Sequence, residues 1–181
     1  MTKTRLLHLP HPYLHRVIRD AHIQDATDLA RVHVSSWQAA YAGLIDQSFL
    51  DSMDVGRRAE RWNALLEQRR SQVLLAEAAD AVVGFCSVGP SDHDNWGEIY
   101  AIYVVPEHWG AGLGRDLLAA GEAALSAIGH DRAMLWVLDG NARARTFYER
   151  QGWVSGAPIR LENIGGSDVT EIRYEKSLRP R

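Results

Sequence analysis

Three glycines at a spacing of two residues, Gly110, Gly112 and Gly114, lie between an apolar stretch that stops at Pro106 and a helical pattern that follows. Glycines at such a junction let consecutive backbone N–H groups turn toward one point, and the helix N-terminus adds a partial positive charge. The pattern therefore predicts an anion site suited to a phosphate or a pyrophosphate. A glycine turn that serves only close packing is the alternative that this segment alone leaves open.

The spacing excludes two common nucleotide-binding motifs. A dinucleotide fingerprint places its third glycine three residues after the second, and that position after Gly112 and Gly114 is Leu117. A P-loop requires a Gly-Lys pair, and the sequence contains none.

A second informative segment runs from Asn141 to Trp153. Asn141 is well placed as a helix N-cap, and Tyr148 follows two helical turns later. An aromatic residue at helical spacing is usually part of the core, so spacing alone does not make Tyr148 functional.

The two segments together resemble the acetyl-CoA-binding core of the GNAT N-acetyltransferase superfamily. The first reads Val-x-Pro-x-x-x-Gly-x-Gly-Leu-Gly, and after a strand the second reads Asn-x-x-Ala-x-x-Phe-Tyr-Glu-x-x-Gly-Trp. A weaker match extends over residues 17–178 and includes Val-His-Val-x-Ser-Trp-x-x-Ala-Tyr-x-Gly at 32–43. The resemblance is specific because both segments occur together and in this order.

The resemblance implies a set of cofactor contacts. The CoA pyrophosphate would be held by backbone N–H groups of the glycine loop, which comprises Trp109, Gly110, Ala111, Gly112, Leu113, Gly114 and Arg115. The pantetheine arm would pair with the strand edge formed by Ile102, Tyr103 and Val104.

The resemblance also implies roles for individual side chains. Asn141 would hydrogen-bond the cofactor, and Tyr148 would protonate the departing CoA thiolate. Arg145 is a candidate for the CoA 3′-phosphate, together with Arg115 and Arg143. The family often has Arg or Gln where this sequence has Trp109, a departure that concerns phosphate affinity.

The general base is not fixed by a motif. Strict strand alternation would put Glu98 on one face with Tyr100, Ile102 and Val104, and Glu98 is the preferred candidate. His93 and His108 are weaker candidates, and the acceptor amine can also lose its proton to water.

Candidate acceptor-site residues follow from the first helix. Trp37 and Tyr41 are separated by four residues, and the resemblance makes Trp37, Tyr41 and Gly43 candidates for the acceptor pocket. Core packing is the alternative reading of Trp37. Cys86, the one cysteine, is expected to be an inert core residue.

Periodicity predicts the element order β-α-α-β-β-β-α-β-α-β-β. The expected fold class is α/β (α+β): a mixed, mostly antiparallel sheet of about seven strands flanked by about four helices. Residues 16–178 are predicted to form one acetyltransferase domain, and residues 1–15 a flexible N-terminal arm.

Composition narrows the range of partners. A formal net charge of −3 and 46% hydrophobic residues indicate an ordinary globular protein that binds neither nucleic acid nor a membrane. The sequence offers no convincing metal-ligand spacing, so acetyl-CoA is the expected cofactor and no metal is expected. The expected localisation is the cytoplasm. A homodimer through the C-terminal hairpin and a monomer are equally allowed.

Acetyl transfer to a primary amine of a small molecule is the leading hypothesis. A protein N-terminus or a lysine side chain is the alternative acceptor. Two hypotheses of other classes are a non-catalytic acetyl-CoA-binding module and a nucleotide-binding α/β protein.

Overall fold

A seven-stranded sheet in the order β1-β2-β3-β4-β5-β7-β6 forms the centre of the computed structural model, which describes residues 16–92 and 95–179. The pairing of β4 with β5 is parallel and the others are antiparallel, which confirms the expected mixed, mostly antiparallel sheet. The strands are β1 (Arg16–Asp20), β2 (Gln72–Ala78), β3 (Ala81–Pro90), β4 (Trp96–Val104), β5 (Arg132–Leu138), β6 (Val154–Ile164) and β7 (Ser167–Ser177).

The predicted arm, residues 1–15, and the candidate base His93 lie outside the described residues. No helix within 16–92 and 95–179 has the length and apolar character needed to cross a membrane.

In the part of the chain that the structure describes, five α-helices cover the two faces of the sheet, against the four or so that the sequence predicted. The helices are α1 (Ala26–Ala40), α2 (Gln47–Asp51), α3 (Val55–Gln68), α4 (Leu113–Ala127) and α5 (Ala142–Arg150). The side chains of Asp46, Asp54 and Asn141 cap α2, α3 and α5 by accepting a backbone N–H, so these helix starts are encoded locally.

Each face of the sheet has its own apolar core. On one face, α4 packs against the sheet through a cluster that includes Leu117, Leu125 and Ile99. On the other face, α1 and α3 pack through a cluster that includes Leu29, Trp62 and Phe85. A side chain of β4 therefore points either to the α4 face or to the α1 face.

A β-bulge in the pairing of β3 with β4 changes which face the β4 side chains occupy. The register passes from Ser87–Ala101 to Val88–Ile99, which leaves Tyr100 as the extra residue. Before the bulge Ile99 points to the α4 face, and after it Ile102 and Val104 do so. The sequence prediction that Glu98 shares a face with Ile102 and Val104 is therefore wrong, because strict alternation does not continue through the bulge.

Strands β4 and β5 pair over a short segment only. The pairs are Trp96–Arg132, Gly97–Ala133 and Glu98–Met134, whereas β4 continues to Val104 and β5 to Leu138. Beyond Glu98 the two strands part, and a groove opens between their C-terminal halves.

We expect the packing of α4 to distinguish two of its glycines. A Cβ atom at Gly121 would lie 2.8 Å from the Cys86 sulfur and 3.2 Å from Val88, whereas one at Gly114 would lie 3.6 Å from the Phe147 ring. Gly121→Ala should lower the free energy of unfolding by about 1–3 kcal/mol through overpacking. Gly114→Ala is the matched control. It should leave the free energy of unfolding unchanged or raise it by up to about 1 kcal/mol, because alanine favours a helix. Urea unfolding of both variants measures the change in the free energy of unfolding. Equal changes in the two variants would contradict the packing described for Gly121.

Candidate functional site

The groove between β4 and β5 presents backbone hydrogen-bonding groups of β4. The N–H of Val105 donates to the Val83 carbonyl of β3 at 2.9 Å. Because amide groups alternate in direction along a strand, those of Tyr103 also face β3, while those of Ile102 and Val104 face the groove. Of the three predicted backbone contacts, Ile102 and Val104 are thus the ones that present their amides to the groove.

The glycine loop lies at the end of β4, where the groove meets the N-terminus of α4. Gly110 and Gly112 have φ values of 76° and 89°, which favour glycine, whereas Gly114 lies within α4. A Cβ at Gly112 would be 3.7 Å from guanidinium nitrogens of both Arg115 and Arg16. Two cations and the unpaired N–H groups of the first helical turn therefore surround this loop, as an anion requires.

Arg16 was not anticipated from the sequence. It lies in β1 and donates from Nη1 to the Ala111 carbonyl at 2.6 Å, which ties the glycine loop to the far edge of the sheet. No local pattern signals this contact, because the two residues are 95 positions apart.

Trp109 takes part in the groove through its side chain. Its indole Nε1–H donates to the Val104 carbonyl at 2.6 Å, and the guanidinium carbon of Arg143 lies 3.3 Å from the ring centroid. The Trp109 indole thus hydrogen-bonds a carbonyl of β4 that faces the groove. The same ring holds Arg143 at the glycine-loop end of the groove.

Tyr148 is largely buried, with 8% of its surface exposed. Its ring packs against Phe147, Trp153 and Tyr174 at centroid distances of 5.1, 6.2 and 6.2 Å. Burial raises the pKa of Tyr148, and nearby Cys86 and Tyr41 raise it further, so the phenol carries its proton at neutral pH. Within 16–92 and 95–179 its hydroxyl has no hydrogen-bond partner.

Asn141 and Arg145 organise the start of α5. The Asn141 side-chain oxygen accepts the Ala144 N–H at 3.0 Å, so its amide donor is directed elsewhere. Arg145 forms an ion pair with Asp139, and its Nε lies 3.3 Å from the Tyr174 hydroxyl. Arg145 is therefore held by internal contacts, while Arg143 and Arg115, the latter paired with Asp116, lie at the glycine loop.

The residues that the sequence suggests for the acceptor pocket lie on the α1 face of the sheet. The hydroxyls of Tyr41 and Tyr103 are 3.0 Å apart, and the Trp37 ring contacts Tyr41 edge-on at 5.0 Å. Trp37 also packs among His33, Phe49 and Tyr103, so core packing accounts for much of its position. Gly43 has a φ of 75°, and a Cβ at this position would meet no atom within 4 Å.

The segment after α1 contacts the turn between β6 and β7. The Asp46 N–H donates to the Ser167 hydroxyl at 2.8 Å, and the Phe49 ring packs against Gly165. This contact links the segment between α1 and α2 to the β7–β6 end of the sheet.

Glu98 lies near charged residues of both signs that the sequence did not reveal. Burial raises the pKa of Glu98; Arg160 opposes that shift, while Asp92 and Glu171 add to it. Glu171 is only 8% exposed and accepts from Arg160 Nε at 2.6 Å. Arg160 in turn lies 4.3 Å above the Trp136 ring. Glu171, Arg160 and Trp136 come from three different strands, so only the sheet register brings them near Glu98.

Comparison with known proteins agrees with this geometry. The model of the Acetyltransferase (GNAT) family matches residues 36–153. The uncharacterized N-acetyltransferase YuaI of Bacillus subtilis is 32% identical over 168 residues, which cover 86% of this chain and 95% of that protein. The chain belongs to the GNAT family of acetyltransferases. It is an acyltransferase that depends on acetyl-CoA.

One further relative and one solved structure of the same fold extend the comparison. Spermidine N(1)-acetyltransferase of Thermoplasma acidophilum is 27% identical over 165 residues, which cover 87% of this chain and 97% of that protein. The structure of the PaiA N-acetyltransferase of Thermoplasma acidophilum in complex with coenzyme A shares the GNAT fold, with a TM-score of 0.68 at 22% identity. Its alignment covers 91% of this chain and 99% of that one.

The sequence-predicted residues of the GNAT chain thus lie in different parts of the structure. The glycine loop, Ile102 and Val104 border the groove, and Tyr148 packs in the core on the α4 face. Glu98 and Tyr41 lie on the α1 face, and Gly43 lies in the segment after α1. Tyr103 and Trp37 belong largely to the aromatic packing beneath that face, and His108 lies in the short turn before the glycine loop.

Proposed function

We propose that this GNAT acetyltransferase transfers the acetyl group of acetyl-CoA directly to a primary amine of a small molecule. The observation that carries the proposal is the parting of β4 and β5, which opens a groove with a cationic glycine loop at one end and acidic side chains on the α1 face. The relative named as a spermidine N(1)-acetyltransferase supports an amine acceptor.

In this proposal the two ends of acetyl-CoA meet different parts of the chain. The loop Trp109 to Arg115 binds the pyrophosphate, with Arg16, Arg115 and Arg143 contributing positive charge. The pantetheine arm pairs with the backbone of Ile102 and Val104, and the Asn141 amide donates to it. Trp109 must release the Val104 carbonyl if the arm uses that acceptor.

The transfer step needs no protein nucleophile. The amine nitrogen attacks the thioester carbonyl carbon, and a backbone N–H of β4 stabilises the resulting oxyanion. The carbon–sulfur bond then breaks and the thiolate takes the Tyr148 phenolic proton. Glu98 accepts a proton from the amine. Both side chains afterwards recover their starting protonation states by exchange with water.

The contacts of Asp46 and Phe49 with the β6–β7 turn support a small molecule over a protein acceptor. We expect these contacts to limit access to the α1 face near Tyr41. A homodimer stays a prediction; the exposed apolar residues Val154, Ile159 and Leu161 on edge strand β6 support it.

Calorimetric titration with acetyl-CoA tests the cofactor site, with CoA, NAD and ATP as controls. We expect binding selective for acetyl-CoA and CoA, weakened at least tenfold in Gly112→Val, because a side chain at this positive φ distorts the loop. Equal binding of NAD or ATP, or full affinity in a folded Gly112→Val variant, would contradict the assignment of this loop to the pyrophosphate.

Tyr148→Phe tests the acid. Removing the hydroxyl while keeping the ring packing should lower kcat by about 10²–10⁴-fold, the usual range for general acid–base catalysis. The calorimetric affinity for acetyl-CoA should stay within about twofold, because no binding contact is assigned to the phenol. An unchanged kcat in steady-state assays would remove Tyr148 from this role.

Glu98→Gln tests the base through its pH dependence. Burial raises the pKa of Glu98, and the base acts when deprotonated, so wild-type kcat/KM should rise with pH through this raised pKa. Glu98→Gln should lose that limb and be slower by about 10²-fold near neutral pH. The difference in kcat/KM between Glu98→Gln and wild type should shrink at high pH, where the amine loses its proton to water. Glu67→Gln on α3, an exposed carboxylate with no ion pair among the described residues, is the matched control. The same profile in Glu98→Gln as in wild type would assign the base elsewhere.

A further inference from the structure

A second concave site lies on the α1 face, between α3 and the middle of β3 and β4. It is a cavity of about 310 Å³, here called the arginine cavity. Its lining includes Arg58 and Arg61 from α3, Arg70 from the segment before β2, and the side chains of His33, Trp62 and Tyr100. Neither the glycine loop nor Tyr148 contributes to it.

The three arginines of the cavity lack carboxylate partners among residues 16–92 and 95–179. By contrast, Arg19, Arg145, Arg160 and Arg173 each form an ion pair with Asp or Glu. Arg58 and Arg61 lie one helical turn apart, where like charges repel. Partial burial lowers the pKa of Arg58, and Arg61 lowers it further, which means that an anion placed here would gain from both charges.

The same cavity is lined by buried donors that have no partner in the described chain. Trp62 is 4% exposed, and its indole Nε1–H is buried without a hydrogen bond. Both ring nitrogens of His33 are likewise buried and unpartnered. Burial lowers the pKa of His33 to about 3, with a further effect of Arg58, so the ring is neutral and keeps one N–H donor. An unsatisfied buried donor costs about 1–3 kcal/mol, so an acceptor in the cavity is favoured.

We infer that the arginine cavity binds an oxyanion, a carboxylate or a phosphate. Such a group is an acceptor of hydrogen bonds and carries negative charge, so it matches guanidinium groups flanked by unpartnered N–H donors. Arg58 and Arg61, on adjacent turns of one helix, can approach different oxygens of the same group.

The position of the cavity assigns the oxyanion to the acceptor substrate. Tyr100 and Ala101 of β4 line the cavity, and the β-bulge puts them on the α1 face, the face of Glu98. Tyr100 is two positions from Glu98 along the strand, which corresponds to a distance of about 7 Å. The acceptor is therefore an amine that also bears an anionic group, as an amino acid or an amino phosphate does. This assignment rests on the proposed function, whereas anion binding by the cavity does not.

The first experiment measures binding of inorganic phosphate by calorimetry. The protein is first saturated with CoA, so that the glycine loop cannot take up the probe. Wild type should bind phosphate saturably, and the indole N–H resonance of Trp62, assigned with Trp62→Phe, should shift during the titration.

Two double variants with equal loss of charge locate this binding. Arg58→Gln/Arg61→Gln should raise the Kd for phosphate at least tenfold. Arg57→Gln/Arg69→Gln, which changes arginines outside the cavity lining, should leave it within twofold. Absence of saturable binding to wild type, or equal weakening in both variants, would overturn the cavity as an oxyanion site.

The second experiment compares acceptors that differ by one carboxylate. Lysine against cadaverine and tyrosine against tyramine are suitable pairs. Wild type should favour the carboxylate member at least tenfold in kcat/KM, and Arg58→Gln/Arg61→Gln should abolish the preference without changing the KM for acetyl-CoA. Phosphate should compete with that acceptor.

The outcomes separate the two proposals. Non-competitive inhibition by phosphate would make the cavity an effector site and overturn its assignment to the acceptor. If wild type acetylates no amine, the proposed function and the acceptor assignment fall together, while the phosphate titration still decides whether the cavity binds an oxyanion.

Discussion

The brief parallel pairing of β4 with β5 is the constraint on which the site depends. Three residue pairs hold the strands together, and the strands then part although both continue. The parting leaves the Ile102 and Val104 backbone without a strand partner on one side, which costs free energy unless other groups satisfy it. Trp109 satisfies one of these acceptors. A site built from strand edges rather than loops is held rigidly by the cores on both faces of the sheet.

Charge is distributed along the groove in a way that suits a bisubstrate reaction. Arg16, Arg115 and Arg143 gather at the glycine loop, whereas the α1 face carries Glu98, the Glu171–Arg160 ion pair and the arginine cavity. In the proposed reaction the polyanionic cofactor therefore meets the glycine loop, and the acceptor meets the α1 face. Tyr148 is buried in the core on the α4 face, and its phenol carries its proton at neutral pH.

The sequence predicted much of this arrangement because the relevant signals are local. Capping residues, the glycine spacing and apolar periodicity each act within a few residues, and the strands and the four longer helices occur close to where they were expected. The face of Glu98 was mispredicted because one extra residue at Tyr100 inverts the alternation, and a bulge leaves no clear mark in a single sequence.

By itself, then, the sequence determined the element order, the glycine loop and the likeness to the GNAT superfamily. Only the tertiary structure decided which side chains meet across the sheet. Arg16 reaches Ala111 over 95 positions, and Arg160 meets both Trp136 and Glu171 through strand register. Arg58, His33 and Tyr100 share one cavity. The physical reason is that spacing fixes periodicity along one element, whereas pairing register and helix packing depend on contacts between segments distant in the chain.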